Sequence, residues 1–232
     1  MKIAMINFSG NVGKSTLAHH MILPRMKGAA FIPVESINAD DSEAESVRGK
    51  EFGDMMEYMA LQDDTIVDVG ASNVEDFIRL MKQYRGSHRS FDYYIVPTIK
   101  AKKQQKDTVS TIEALSAIGV PALSIRLFFN QVDVGDKIDV HFSSIIDYQE
   151  TENKFWLDRS AVVYETELFD RLKPLKTSIG ALVADKADYR AKISETNDMT
   201  EKHAMVRMLS AQQLALSAND NLDSVFKLVF EK

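Results

Sequence analysis

An almost unbroken apolar run, Ile3 to Phe8, leads into Ser9-Gly10-Asn11-Val12-Gly13-Lys14-Ser15-Thr16, and Leu17 to Leu23 continues in a helix-compatible pattern. Continuous hydrophobicity, rather than alternation, is the pattern of a strand buried on both faces of a parallel sheet. Glycines after such a strand let backbone N–H groups wrap around an anion, and the next helix points its positive end at the same place. Lys14 can then reach the β- and γ-phosphates of a nucleoside triphosphate, and the Ser15 hydroxyl is placed to ligate Mg²⁺. The full G-x-x-x-x-G-K-[ST] pattern requires glycine at position 8, where this chain has Phe8. What remains is G-x-x-G-K-S-T in a strand-loop-helix context. The competing reading is a glycine turn before a helix with an exposed lysine.

A second signal is Thr65-Ile66-Val67-Asp68-Val69-Gly70-Ala71-Ser72. A β-branched strand carries an aspartate at its end, followed by glycine. Downstream of a phosphate loop, such an aspartate holds the Mg²⁺ shell, and the glycine begins a segment that senses the γ-phosphate. Between the two signals, Ala29 to Val34 reads as a strand, and Glu45 to Leu61 as a helix with Phe52, Met55, Met56 and Met59 as its buried stripe. Asn73 to Tyr84 reads as another helix, with Val74, Phe77, Ile78 and Met81 inward. His19 and His20 are adjacent, about 100° apart on a helix, and are read as ordinary helix residues.

Three further strands are expected at Tyr93 to Thr98, Ala122 to Phe129 and Ser160 to Tyr164. Helices are expected through Ile118, from Thr166, over Met199 to Ser217, and over Asn221 to Lys232, where Leu222, Val225, Phe226, Val229 and Phe230 share one side. Strand-helix alternation of this kind predicts an α/β fold: a P-loop NTPase-like, mostly parallel sheet with helices on both faces. A length of 232 residues fits a single domain over 1–232 with a core of its own. The chain has no cysteine, so disulfides, a thiol nucleophile and Cys-ligated zinc are excluded. The entry of the N-terminus into a core strand speaks against a cleaved leader, and no run approaches the roughly 18 apolar residues of a membrane span. A cytoplasmic protein is the expectation. The net charge of -6 argues against a globally basic nucleic-acid binder while leaving room for a local patch.

Ser9-Gly10-Asn11-Val12-Gly13-Lys14-Ser15-Thr16 resembles the deviant Walker A loop of the ParA/MinD family of ATPases, whose usual form is K-G-G-x-G-K-[ST]. Within that family, INFSGNVGKST, VESINAD and VDVGASN look most like the StbB-type ATPases of conjugative plasmid stability operons. The resemblance rests on motifs in the first 135 residues or so. It implies binding of ATP and Mg²⁺ by Ser9 to Thr16, slow, partner-stimulated hydrolysis, and a role in plasmid stability, segregation or positioning, with conjugation also in view. A homodimer, with nucleotide dependence in the family's manner left open, and plasmid-encoded partner proteins follow from the same resemblance. Its switch I loop would correspond to Glu35-Ser36-Ile37-Asn38-Ala39-Asp40-Asp41, with Glu35 or Asp40 positioning the attacking water. Helix capping and solvation by Asp40, Asp41, Glu43 and Glu45 is the plain alternative.

At the position of the family's signature lysine, which reaches the partner's nucleotide across the dimer, this chain has Ser9. Four lysines, Lys100, Lys102, Lys103 and Lys106, cluster where the fourth strand ends. They can be a solvated helix start, a contact to DNA phosphate or an acidic partner, or the source of the charge that Ser9 lacks. Strand-end Asn130-Gln131-Val132-Asp133 resembles the base-recognition position, where the Asn130 side chain offers adenine a donor and an acceptor. Asn130 as a loop-capping residue is the alternative. The terminal helix carries few cations, only Lys227 and Lys232 against Asp223 and Glu231, which favours a packed helix over one lying on a bilayer. Two other function classes stay open. One is a nucleotide-locked adaptor with little turnover, and the other a metabolic ATP-using enzyme of the related ligase and kinase group.

Overall fold

The computed structural model describes residues 1–34 and 42–231, with backbone alone over 42–49. Glu35 and Asp40, the two switch I candidates, lie outside the described residues. The chain forms two compact units, Met1–Val163 and Tyr164–Lys232.

The first unit is built on a six-stranded sheet: β1 (Lys2–Met5), β2 (Ala30–Val34), β3 (Thr65–Val69), β4 (Tyr93–Thr98), β5 (Ile125–Val132) and β6 (Trp156–Tyr164). Their order is β2-β3-β1-β4-β5-β6, and β2·β3, β3·β1, β1·β4 and β4·β5 pair in parallel. At the start of β5, the Arg126 guanidinium stacks between the rings of Tyr93 and Trp156, 4.9 and 4.8 Å from their centroids. Tyr93 opens β4 and Trp156 opens β6, so this stack joins the same ends of three strands.

The strands are as apolar as the sequence implies because both faces are covered. Ala4, Ile6, Val67, Val69, Tyr94, Val96, Leu127 and Phe129 belong to one core cluster. Ile3, Met5, Ile66, Ile95 and Phe128, which alternate with them, are also fully buried. Burial of this kind contributes roughly 1.5–3 kcal/mol per large aliphatic or aromatic side chain. Helices α2 (Ser42–Ala60), α3 (Val74–Gln83), α4 (Lys102–Ala117), α5 (Ile138–His141) and α6 (Ser143–Glu152) flank the sheet. Phe52 and Met59 of α2 are buried as expected, and Met55 and Met56 are partly buried against the same cluster. Val74, Phe77, Ile78 and Met81 of α3 are all buried.

Helix α1 is the least regular. It begins as α-helix over Lys14–Leu17, widens to π geometry over Ala18–Ile22, and closes in a 3₁₀ turn over Leu23–Arg25. Pro24 lies at the start of that closing turn, where a missing N–H costs nothing, and the helix ends one residue later at Arg25. β5 starts later and runs further than the sequence suggests, because Pro121 launches a 3₁₀ turn over Ala122–Ser124. Asn130 therefore lies inside β5.

The second unit is helical: α7 (Leu168–Leu172), α8 (Ile179–Ala184), α9 (Tyr189–Glu195) and α10 (Met199–Phe230). The two C-terminal helices expected from the sequence are one helix of 32 residues. No glycine or proline interrupts Ser217 to Asn221, and Asn219 donates to Asp223 one turn on at 2.9 Å. The Asp198 carboxylate caps the start of α10, accepting from the backbone N–H of Thr200 and Glu201. Leu222, Val225, Phe226 and Val229 are buried. No helix among the described residues is long and apolar enough to cross a membrane.

Candidate functional site

β1 is central. From it the chain goes to β2 and β3 on one side and then to β4 and β5 on the other. The loop that leaves β1 thus sits where the strand order reverses, at the carboxyl ends of the strands, which is where open α/β sheets bind ligands. Residues 9–13 form this loop. Val12 is fully buried and anchors it, while Gly10, Asn11 and Ser15 are exposed. Gly13 takes φ 83 and Asn11 takes φ 58. Asn11 stands at the second glycine of the K-G-G-x-G-K-[ST] form, and asparagine is one of the few side chains that enters the left-handed region at low cost.

Lys14 does not extend from this loop into solvent. Its Nζ donates back to the Ser9 carbonyl at 2.8 Å and the Asn7 carbonyl at 3.2 Å, and the residue is only 6 % exposed. Desolvation pushes its pKa below the usual lysine value, and the nearby Asp68 carboxylate opposes that shift. Asp68 is opposite Met5 in the sheet register, so β1 and β3 deliver the lysine loop and the aspartate to one place. It is 8 % exposed, and its Oδ1 has no hydrogen-bond partner among the described residues. A buried carboxylate oxygen left without a donor is costly unless something of opposite charge completes it. The sequence pairing of Lys14 with Asp68 is therefore realised in space, with Ser15 and Thr16 in the next turn. The hard carboxylate oxygen and the exposed Ser15 hydroxyl are donors of the kind Mg²⁺ takes.

Asn130 also converges on the loop, but its amide is aimed at the backbone. Nδ2 donates to the Val12 carbonyl at 2.9 Å, and Asn130 is 5 % exposed. Ser9 is equally buried, so position 9 projects no charge outward. Lys100 is held by the carboxylates of Asp133 and Asp136, the latter at 2.7 Å, and these partners raise its pKa. The same lysine, by hydrogen bonding, holds the Asp136 carboxyl below its usual range. Lys102, Lys103 and Lys106 are exposed on the first turns of α4.

Asn7, Thr98, Thr108 and Thr111 carry no motif that marks them as part of a site. All four are fully buried. They form a polar patch inside an otherwise apolar layer, joining the start of the loop to β4 and α4. The available signal was the spacing of Gln105, Thr108, Thr111, Ile112 and Leu115, which is the inward stripe of α4 even though three of the five are polar. Elsewhere in this unit an apolar groove of about 430 Å³ lies between β2, α2 and α3, lined by Ile32, Val34, Phe52, Met55 and Phe77 among others. None of the loop residues contributes to it. His19 packs its ring 4.3 Å from Phe31, and no group of metal-ligating side chains occurs among the described residues.

No protein-family model matches this chain, and no curated protein is significantly similar to it.

Proposed function

We propose that this protein is a Mg²⁺- and ATP-dependent switch resembling the ParA/MinD ATPases, hydrolysing ATP slowly, with a role like that of the StbB-type plasmid stability proteins. One observation carries the reading. The buried Asp68 carboxylate, with an unpartnered oxygen, sits beside a desolvated Lys14 at the mouth of a glycine loop on the central strand. A polyanion with its divalent cation resolves both costs at once. The phosphates give Lys14 its counter-charge, and the cation gives Asp68 its partner.

In this reading the loop N–H groups of residues 10–16 and the Lys14 ammonium hold the phosphates. Ser15 and Asp68 would hold Mg²⁺, which when bound neutralises charge developing on the phosphoryl oxygens. Lys14 exchanges the Asn7 and Ser9 carbonyls for phosphate oxygens. Glu35 or Asp40 is assigned the positioning of water, Asn130 the contact to the base, and Lys102, Lys103 and Lys106 contact with DNA phosphate or an acidic partner. The site lies in the cytoplasm and the active form is a homodimer with plasmid-encoded partners.

The buried Ser9 favours a second reading, a nucleotide-locked adaptor with little turnover, since position 9 presents nothing to a neighbouring subunit. Light scattering on wild type and Lys14→Ala, without nucleotide and with Mg²⁺-ADP or a Mg²⁺-ATP analogue, separates the two. The switch gives a dimer only with the triphosphate, lost in the variant. An unchanged mass in every state refutes it.

A further inference from the structure

Thr108 and Thr111 of α4 each donate their single hydroxyl hydrogen to the helix carbonyl four residues back, Gln104 at 2.7 Å and Asp107 at 2.8 Å. That leaves both hydroxyl oxygens as acceptors facing the loop. The Asn7 Nδ2 donates to Thr108 Oγ1 at 2.9 Å, and the Phe8 backbone N–H donates to Thr111 Oγ1 at 3.0 Å. The second Nδ2 hydrogen of Asn7 reaches the Pro97 carbonyl at the end of β4, again at 2.9 Å. Its Oδ1 accepts from the Ser9 N–H at 2.8 Å, which closes the turn at the mouth of the loop. Asn7 thus uses both donors and its acceptor, in a place with no exposure to water.

The consequence falls on Lys14. Its two acceptors are the carbonyls of Asn7 and Ser9, the residues whose backbone this network fixes. We infer that Asn7, Thr108 and Thr111 are positioning residues, through which α4 sets the conformation of the loop and the resting place of the Lys14 ammonium. This rests on the nucleotide reading above and adds to it a buried relay between the phosphate loop and the helix whose first turns carry Lys102, Lys103 and Lys106. A threonine on the inward stripe of a helix is a poor choice for packing alone. Valine has the same shape without a polar atom to satisfy.

That isostere supplies the test. Thr108→Val keeps the shape and removes the acceptor, stranding one Asn7 donor in the core, whereas Thr108→Ser keeps the acceptor and gives up only a methyl group. Mg²⁺-ADP binding by calorimetry is expected to weaken about tenfold in Thr108→Val, because the loop is then held in its binding conformation for a smaller fraction of the time before nucleotide arrives, and to return close to wild type in Thr108→Ser. Thr111→Val and Thr111→Ser repeat the comparison at the Phe8 N–H, so failure of one variant to fold does not block the result. Apo unfolding midpoints are measured in parallel. Valine variants that bind Mg²⁺-ADP as wild type does, whatever their midpoints, overturn the inference while leaving the nucleotide reading in place. Wild type that binds Mg²⁺-ADP no better than Lys14→Ala overturns both.

Discussion

The Asn130 Nδ2 that donates to the Val12 carbonyl lies 2.2 Å from where a Cβ on Gly13 would stand. Glycine at position 13 is therefore required twice, once by φ 83 and once by its buried neighbour. The left-handed backbone alone costs a residue with a side chain about 1–2 kcal/mol, and displacing Asn130 adds to that. Gly13→Ala is expected to be less damaging in an Asn130→Ala background, with a coupling energy of about 1 kcal/mol or more in a urea-denaturation cycle. Equal cost in both backgrounds would show that the amide does not restrain position 13.

Lys14 predicts a pH dependence with a definite sign. Desolvation lowers its pKa in the folded protein, so the folded state binds fewer protons than the unfolded one between the lowered value and 10.5. Stability should rise with pH across that window, because the cost of burying the charge disappears as the charge does. Phosphate reverses the balance by restoring a counter-charge. ADP affinity is thus expected to be full below the lowered pKa and to fall as pH rises through it, with proton uptake on binding. Calorimetry in buffers of different ionisation enthalpy measures that uptake. Lys14→Ala should bind more weakly and without it.

Asp68→Asn separates metal from fold. The variant removes a buried carboxylate with an unpartnered oxygen but also the charge that opposes the desolvation of Lys14, so the two effects on apo stability oppose each other and the apo unfolding midpoint is measured alongside. What it should lose is the gain in ADP or ATP affinity on adding Mg²⁺. Titrations with and without EDTA measure that gain. Persistence of the full Mg²⁺ effect in Asp68→Asn would remove Asp68 from the metal site.

The parts of this architecture that the sequence made legible are those where one physical demand acts alone. Ile66, Val67 and Val69 have to be apolar because both faces of the sheet are covered, and Gly13 is needed because the chain takes φ 83 there on its way from β1 into a helix. Element ends were harder, since they depend on tertiary partners. β5 begins only at Ile125 because Ala122–Ser124 turns first, and α10 runs through Asn219 and Asp220 because nothing there breaks it. The polar support of the loop was hidden by its company. Asn7 stands within an apolar strand signal, and Thr108 and Thr111 stand in a helix whose start reads as solvated. Asn130 was visible as a strand-end polar residue, but a sequence cannot say whether its amide turns to a ligand or to the Val12 carbonyl.

Lys100 is set apart from the lysines that follow it. Its ammonium is shared by Asp133 and Asp136 across the ends of β4 and β5, whereas Lys102, Lys103 and Lys106 are exposed at the start of α4. With no acidic residue in its first turn, that helix concentrates positive charge where its own dipole already disfavours it. A paired lysine has no free charge to offer a phosphate, so the four should not contribute alike. In binding to duplex DNA with Mg²⁺-ATP present, the triple variant Lys102→Ala, Lys103→Ala, Lys106→Ala is expected to flatten the salt dependence by about three counterions, while Lys100→Ala leaves the slope unchanged. The Lys100 variant should instead be sensed at the loop of residues 133–136, where two carboxylates are left facing each other without their cation. Equal loss of slope from Lys100→Ala and from a single α4 lysine would mean that Lys100 leaves Asp133 and Asp136 when the protein engages a polyanion.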